Sequence, residues 1–233
     1  MKNANEINIL IACEESQAVC IEFRKLGFNA FSCDILECSG GHPEWHFNTD
    51  VFEVIKCGSL LTESGITATV NKWDAMIAFP PCTHLALSGS MHFEKKRQDG
   101  RQQQGIDFFM AMINAPIKRI AVENPMGIMS TIYKKPTQII QPYYFGDADR
   151  KTTCLWLKNL PPLYHNAKPN LFDDVVTHVE PELITTPKGD KLSKWHYDSY
   201  KLSNEDKSKM RSKTFPAIAE AIVKQWGAVI ACT

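Results

Sequence analysis

Four short runs in this chain each stop at a polar or proline-bearing turn, and that repetition limits the fold more than any other feature. Ile7-Asn8-Ile9-Leu10-Ile11-Ala12 ends at Cys13-Glu14-Glu15-Ser16, and residues 28–33 end at Asp34. Trp73-Asp74-Ala75-Met76-Ile77-Ala78-Phe79 ends at Pro80-Pro81-Cys82, and Arg119-Ile120-Ala121-Val122-Glu123 ends at Asn124-Pro125. Apolar runs this short, with polar punctuation, read as strands buried on both faces. Proline closes two of them because it cannot continue a sheet ladder.

Helical periodicity fills the gaps. Val19, Cys20, Phe23 and Leu26 recur at helical spacing, with Gly27 as the C-cap. Phe108, Phe109, Met112 and Ile113 predict a helix over residues 105–115, and residues 152–157 predict a further strand. Ala217, Ile218, Ala221, Ile222 and Trp226 mark an amphipathic helix opened near Pro216. Strands alternating with helices predict an α/β fold: a Rossmann-like, doubly wound, mostly parallel sheet with a small loop-rich insertion. Residues 1–158 read as the core. Residues 159–212, rich in Pro, Lys, Asp and Ser, read as a loop-rich substrate-recognition segment, and residues 213–233 as a helix packing back on the core. A length of 233 residues suits one such domain.

Charge narrows the function. The 26 basic residues equal the 26 acidic ones, which excludes a bulk nucleic-acid coater and confines any DNA contact to a local patch. Apolar stretches are too short to span a membrane, and Met1-Lys2-Asn3-Ala4-Asn5-Glu6 lacks the pattern of a secretion signal, so a soluble cytoplasmic protein is expected. Eight cysteines without a CxxC are expected to be reduced. Cys33, Cys38, His42 and His46 are all metal-ligand types, but they lack tight paired spacing; no metal is expected, only a buried Cys33 and a polar surface loop.

In doubly wound sheets ligands sit beyond the carboxyl ends of the strands, so the four strand ends should share one rim. Asp34 follows the first loop by close to the ~20 residues that separate a cofactor loop from a ribose-binding acid. It is either that ligand or an exposed turn aspartate. Asp50 receives an adenine amino group or caps a helix. Lys95, Lys96, Arg97 and Arg101, followed by three glutamines, either grip phosphates from a mobile loop or form a solvated helix face. Trp195, His196, Tyr197 and Tyr200 either stack on bases or pack in the core.

Phe79-Pro80-Pro81-Cys82, followed about forty residues on by Glu123-Asn124-Pro125, resembles the Pro-Cys and Glu-Asn motifs of the S-adenosylmethionine-dependent cytosine-C5 DNA methyltransferases. Tyr144-Phe145-Gly146, Arg150-Lys151 and residues 153–157 resemble that family's tyrosine-glycine, paired-arginine and strand motif, and residues 215–222 its closing helix. The strings at residues 77–85, 121–125 and 219–226 are similar to small methyltransferase-like proteins of phages and prophages, which implies a host cytoplasm. Coverage is nearly the whole chain, with only the two catalytic motifs specific. The resemblance implies that the Cys82 thiolate adds to C6 of cytosine, that Glu123 protonates N3, and that Arg150 or Lys151 contacts O2. It also implies S-adenosylmethionine held near Ala12, Glu14, Glu15, Ser16, Asp34, Asp50 and Pro80, and DNA near Ser88, Lys95, Lys96, Arg97 and Asn124. No obligate protein partner is implied.

The chemistry has its own logic. A pyrimidine is a poor methyl acceptor until covalent addition makes its C5 nucleophilic, and the adding thiol must be ionised. A site that lowers the Cys82 pKa, at a helix N-terminus or near Arg150 and Lys151, is therefore expected. The chain departs from the family in three places. Its first loop, Ala12-Cys13-Glu14-Glu15-Ser16-Gln17, contains no glycine; Pro125 stands where valine is usual; and residues 159–212 are few for base-edge readout, which predicts short or relaxed specificity. Two other functions fit parts of the pattern. One is a nucleotide-level pyrimidine C5 transferase, since thymidylate-synthase-like enzymes also use a Pro-Pro-Cys cysteine; the other is a noncatalytic DNA-binding or decoy protein that keeps the fold.

Overall fold

The computed structural model describes residues 3–168, 175–186 and 189–232. Met1 and Lys2 of the N-terminal hexapeptide, residues 169–174 and 187–188 of the 159–212 segment, and Thr233 lie outside the described residues.

The chain opens with a βαβ unit: β1 (Asn8–Ala12), α1 (Ala18–Lys25) and β2 (Asn29–Asp34), with β1 parallel to β2 from Asn8↔Asn29 to Ala12↔Cys33. Gly27, at φ +83, takes the left-handed turn that lets the chain leave α1 for β2. β3 (His46–Asn48) adds to the end of β2, and α2 (Val51–Ile55) follows. An antiparallel hairpin, β4 (Gly58–Leu61) and β5 (Thr67–Val70), stands apart from the main sheet. The chain returns beside β1 as β6 (Ala75–Ala78), then passes through α3 (Phe93–Gln98) and α4 (Arg101–Ile113) to β7 (Arg119–Pro125). After α5 (Met129–Ile132) come β8 (Gln138–Ile140) and β9 (Thr153–Lys158). A second hairpin, β10 (Leu183–Thr185) and β11 (Lys191–Ser193), precedes α6 (Lys194–Ser199), α7 (Asn204–Ser212) and α8 (Pro216–Ala231).

The main sheet has the order β3-β2-β1-β6-β7-β9-β8, with β9 alone antiparallel. This is the Rossmann-like, doubly wound, mostly parallel sheet expected from the sequence. Alternation along β1 splits the core: Ile9 and Ile11 pack with Phe23 of α1 and Trp226 of α8, while Leu10 and Ala12 join Phe109 of α4 and Trp156 of β9. The indole N–H of Trp226 donates to the Pro161 carbonyl at 2.8 Å, so even this deeply buried donor is satisfied. Winding direction reverses between β1 and β6, which opens a crevice beyond their carboxyl ends.

Two local expectations change. β7 runs two residues farther than anticipated, through Pro125, because β6 pairing stops at Ala78↔Val122 and only β9 flanks the proline. His46 is not in a surface loop: it opens β3, fully buried, with Nδ1 2.8 Å from Ser32 Oγ and Nε2 2.9 Å from the Leu36 carbonyl. Cys33 is buried as expected. Among the described residues no group of three His, Cys, Asp or Glu side chains could hold a metal ion, and no helix is long and apolar enough to cross a membrane.

Candidate active site

Because β9 is antiparallel, its beginning lies at the rim where β6 and β7 end. Pro125 pairs with Thr153, and Lys151 precedes that strand by two residues. Lys151 is thereby carried to the same place as Cys82 and Glu123. Its ammonium pulls the pKa of both groups down, and the Glu123 carboxylate pushes the Cys82 thiol up. Burial outweighs the cation. The half-buried Cys82 thiol is raised above its ordinary value, first by desolvation and then by Glu123, with Lys151 and Arg211 offsetting only part. The lowered thiol expected from the sequence is therefore not found, because desolvation outweighs the nearby cations. Burial also raises Glu123, against Lys151 and a hydrogen bond to Thr153. Arg150 is exposed, so Lys151 is the member of the basic pair that acts on both groups.

Cys82 sits on a tightly fastened turn. The Asn124 amide Nδ2 donates to the Pro80 carbonyl at 3.3 Å, tying the end of β7 to the end of β6. The other end of that carboxamide, Oδ1, is buried without a hydrogen-bond partner among the described residues. One residue past the strand, backbone meets backbone: Ile128 N donates to Leu85 O at 3.0 Å, and Leu87 N to Met126 O at 3.0 Å. A Cβ on Gly127 would lie 2.4 Å from Leu85 O, so only glycine permits this approach. Sequence reasoning passed over Gly127, although a lone glycine beside a strand end is the usual mark of such contact.

A strap covers the carboxyl. Ser212 at the end of α7, with Thr214 and Phe215 before α8, lines a cavity with Phe79, Glu123 and Lys151 that measures about 20 Å³. Lys151 Nζ donates to the Arg211 carbonyl at 2.8 Å, and Asp147 Oδ2 accepts from Ala217 N at 2.8 Å, pinning both ends of the strap. Room of this size holds one water, which needs ~10–15 Å³.

The first loop turns inward. Ala12 O accepts from Phe79 N, and Cys13 and Gln17 both adopt left-handed backbone, at φ 60 and φ 57. Glu14, expected to meet a cofactor, is buried, and its carboxyl accepts Val19 N at 2.7 Å and Cys20 N at 3.2 Å at the start of α1. The four unpaired amides of a helix start need acceptors, and Glu14 supplies two from within the fold. Glu15 accepts the Ser39 hydroxyl, Ser16 is buried, and the Gln17 amide exchanges hydrogen bonds with His42 at 2.9 and 3.0 Å. Gly40 lies so close that a Cβ there would come within 2.7 Å of Ser16 O. Pro80 is buried with its carbonyl taken by Asn124. Two carboxylates do remain at the crevice: Asp34, raised by burial, with Oδ1 on Leu36 N, and the exposed Asp50, which caps α2 through Phe52 N at 2.9 Å. Both act electrostatically on Cys13 and Cys33, so they share the rim where β1 and β2 end.

Glu14 gives a pH prediction. Burial raises its pKa from 4.5 to about 8, so folding favours the protonated carboxyl. The stability it contributes is complete below pH 4.5 and is lost as pH rises through about 8. Glu14→Gln should be less stable than wild type by ~1 kcal/mol at pH 5, through one lost acceptor, yet should lose less on going to pH 9. The difference in slope should amount to a few kcal/mol, on the order of the pKa change. Denaturant unfolding of both proteins from pH 5 to 9 checks this; parallel curves would refute it.

The basic stretch divides. Lys95 is exposed, Arg97 pairs with Glu94 and Arg101 with Asp99, each at 2.5 Å. Lys96 is buried and does not share their solvent face. Ser88 is exposed on the helical turn Leu87–His92. Among the aromatics, Trp195 packs on Phe215, whereas Tyr200 is 57% exposed with Lys207 4.3 Å from its ring.

No protein-family model and no curated protein sequence matches the chain. In structure it is similar to a protein described as a DNA modification methyltransferase encoded within a prophage of E. coli, with a TM-score of 0.43 and 17% identity over 73% of this chain and 53% of that one. It is also similar to the methyltransferase EhMeth of Entamoeba histolytica, with a TM-score of 0.39 and 14% identity over 77% of this chain and 58% of that one. The chain thus spans little more than half the length of these solved structures.

Proposed function

We propose that this chain transfers a methyl group from S-adenosylmethionine to C5 of cytosine in DNA through a covalent adduct on Cys82, with residues 159–212 serving substrate recognition and specificity short or relaxed. One observation supports the reading: a thiol and a carboxyl at the ends of adjacent strands share the cation Lys151, and the carboxylate raises the thiol. Burial favours a protonated Glu123, and a protonated Glu123 removes the charge that adds to the effect of desolvation on the thiol. Protonating the acid therefore eases ionisation of the thiol.

Cys82 gives its proton to solvent and its sulfur adds to C6. Glu123 passes its proton to N3 as the ring electrons move onto C5, which stabilises the charge only as it appears. C5 takes the methyl group, a proton leaves C5 to solvent, and N3 returns its proton to the Glu123 carboxylate as the C6–S bond breaks to release the thiolate. When bound, S-adenosylmethionine supplies the electrophilic methyl group. The residues fit its adenosine end better than its amino-acid end. Asp34 and Asp50 would hold ribose hydroxyls and an amino group, while the Glu14 and Glu15 carboxylates are engaged within the protein.

The test is incubation with methyl-labelled S-adenosylmethionine and either DNA or free deoxycytidine monophosphate, followed by nucleoside mass spectrometry. 5-Methylcytosine in DNA supports the reading. Methylation of the mononucleotide alone favours a nucleotide-level enzyme, and no cofactor binding at millimolar concentration overturns methyl transfer. The closed first loop favours, in that last case, a noncatalytic DNA-binding protein. DNA contact through the exposed cations gives a second expectation: Lys95→Ala with Arg97→Ala should flatten the salt dependence of DNA binding by about one unit of slope per cation. An unchanged slope would assign both to a solvated helix face.

A further inference from the structure

Lysine is almost never fully buried without a reason, because its ammonium loses hydration that a protein must replace. Lys96 on α3 is only 7% exposed. Its Nζ donates to the Thr83 carbonyl at 2.6 Å, the next residue after Cys82. Gly89 roofs this contact: a Cβ there would lie 3.1 Å from Nζ and 3.6 Å from Thr83 O. The neighbouring carbonyls are held as well. Cys82 O accepts Leu85 N at 2.9 Å and Ala86 N at 3.0 Å, Gln102 Nε2 reaches His84 O at 3.5 Å, and Leu85 O accepts Ile128 N. The nucleophile turn is thus fastened on one side by the end of β7 and on the other by α3 and α4. Lys96 supplies the charged fastening.

We infer that Lys96 is a positioning residue that aims Cys82 by anchoring the Thr83 carbonyl, and that it does not grip DNA phosphate with Lys95 and Arg97. The anchoring stands on geometry alone, and its catalytic meaning rests on the proposed role of Cys82. Replacing a buried ammonium by an apolar chain of similar length relieves desolvation, so Lys96→Met is expected to fold. Freed from its anchor, the turn should open. Iodoacetamide labelling of Cys82, followed by peptide mass spectrometry to separate it from the other seven cysteines, should quicken about tenfold. Turnover should fall by ~10²-fold, as for a misplaced reacting group, with DNA affinity and its salt slope unchanged.

Gly89→Ala is the second variant. Its added methyl crowds Nζ, so it should move labelling the same way by a smaller factor, and it decides the question if Lys96→Met does not fold. Wild-type labelling rates in the folded variants overturn the inference, as does weaker DNA binding with a shallower salt slope. Should the wild-type protein methylate nothing, the labelling result still decides Lys96, so the two readings fail separately.

Discussion

Cys82→Ser is expected to leave the fold intact and to abolish the covalent adduct with DNA containing 5-fluorocytosine. Oxygen for sulfur is a small change on a half-buried turn whose hydrogen bonds run through backbone atoms, so stability should hardly move. Reactivity should change greatly, because a serine hydroxyl is far harder to ionise than a thiol, and even the thiol is raised on balance here. Turnover below about one thousandth of wild type is expected, as when a nucleophile is removed elsewhere. Denaturing gels of labelled DNA report the adduct. An adduct of wild-type yield in the serine variant would move the nucleophile to another residue.

Glu123→Gln is expected to produce two effects of opposite sign. Loss of the proton donor should cut turnover by ~10²–10⁴-fold, the usual range for general acid–base groups. Loss of the carboxylate should make Cys82 easier to ionise, since Glu123 is the charged group that raises it most. Iodoacetamide labelling of Cys82 against pH should therefore shift to lower pH in the variant while methyl transfer falls. Unaltered turnover would exclude a role at N3, and an upward shift in the labelling curve would exclude the electrostatic link. In the wild-type protein the proposed reaction needs an ionised thiol beside a protonated acid, so its rate should pass through a maximum with pH.

Long apolar periodicity made the central strands legible. β1, β2, β6 and β7 lie within a residue or two of where their patterns place them, and Pro80 and Pro216 mark the boundaries that proline chemistry demands. The hairpin of β4 and β5 left no comparable trace, because Gly58-Ser59-Leu60-Leu61 is largely exposed and pairs only with its neighbour. β3 and β8 are three residues each, too short for a period to register.

Charged residues misled for a different reason. Side-chain charge announces neither direction nor depth: Glu14 belongs to the start of α1, Lys96 to a backbone carbonyl, and only coordinates reveal that Lys151, rather than Arg150, acts on both reactive groups. Arg211 acts on the thiol from far along the chain, and no local pattern signals that.

The strap of residues 212–215 has a kinetic corollary. A heterocycle is far larger than the space beside Glu123, so under the proposed reaction a ring would dock there only with that short bridge displaced. The proposed reaction would then include a unimolecular gating step in its encounter with substrate. With rising concentration the observed on-rate would level off at the gate's own frequency, and shortening the bridge would lower that ceiling while lengthening it would raise it.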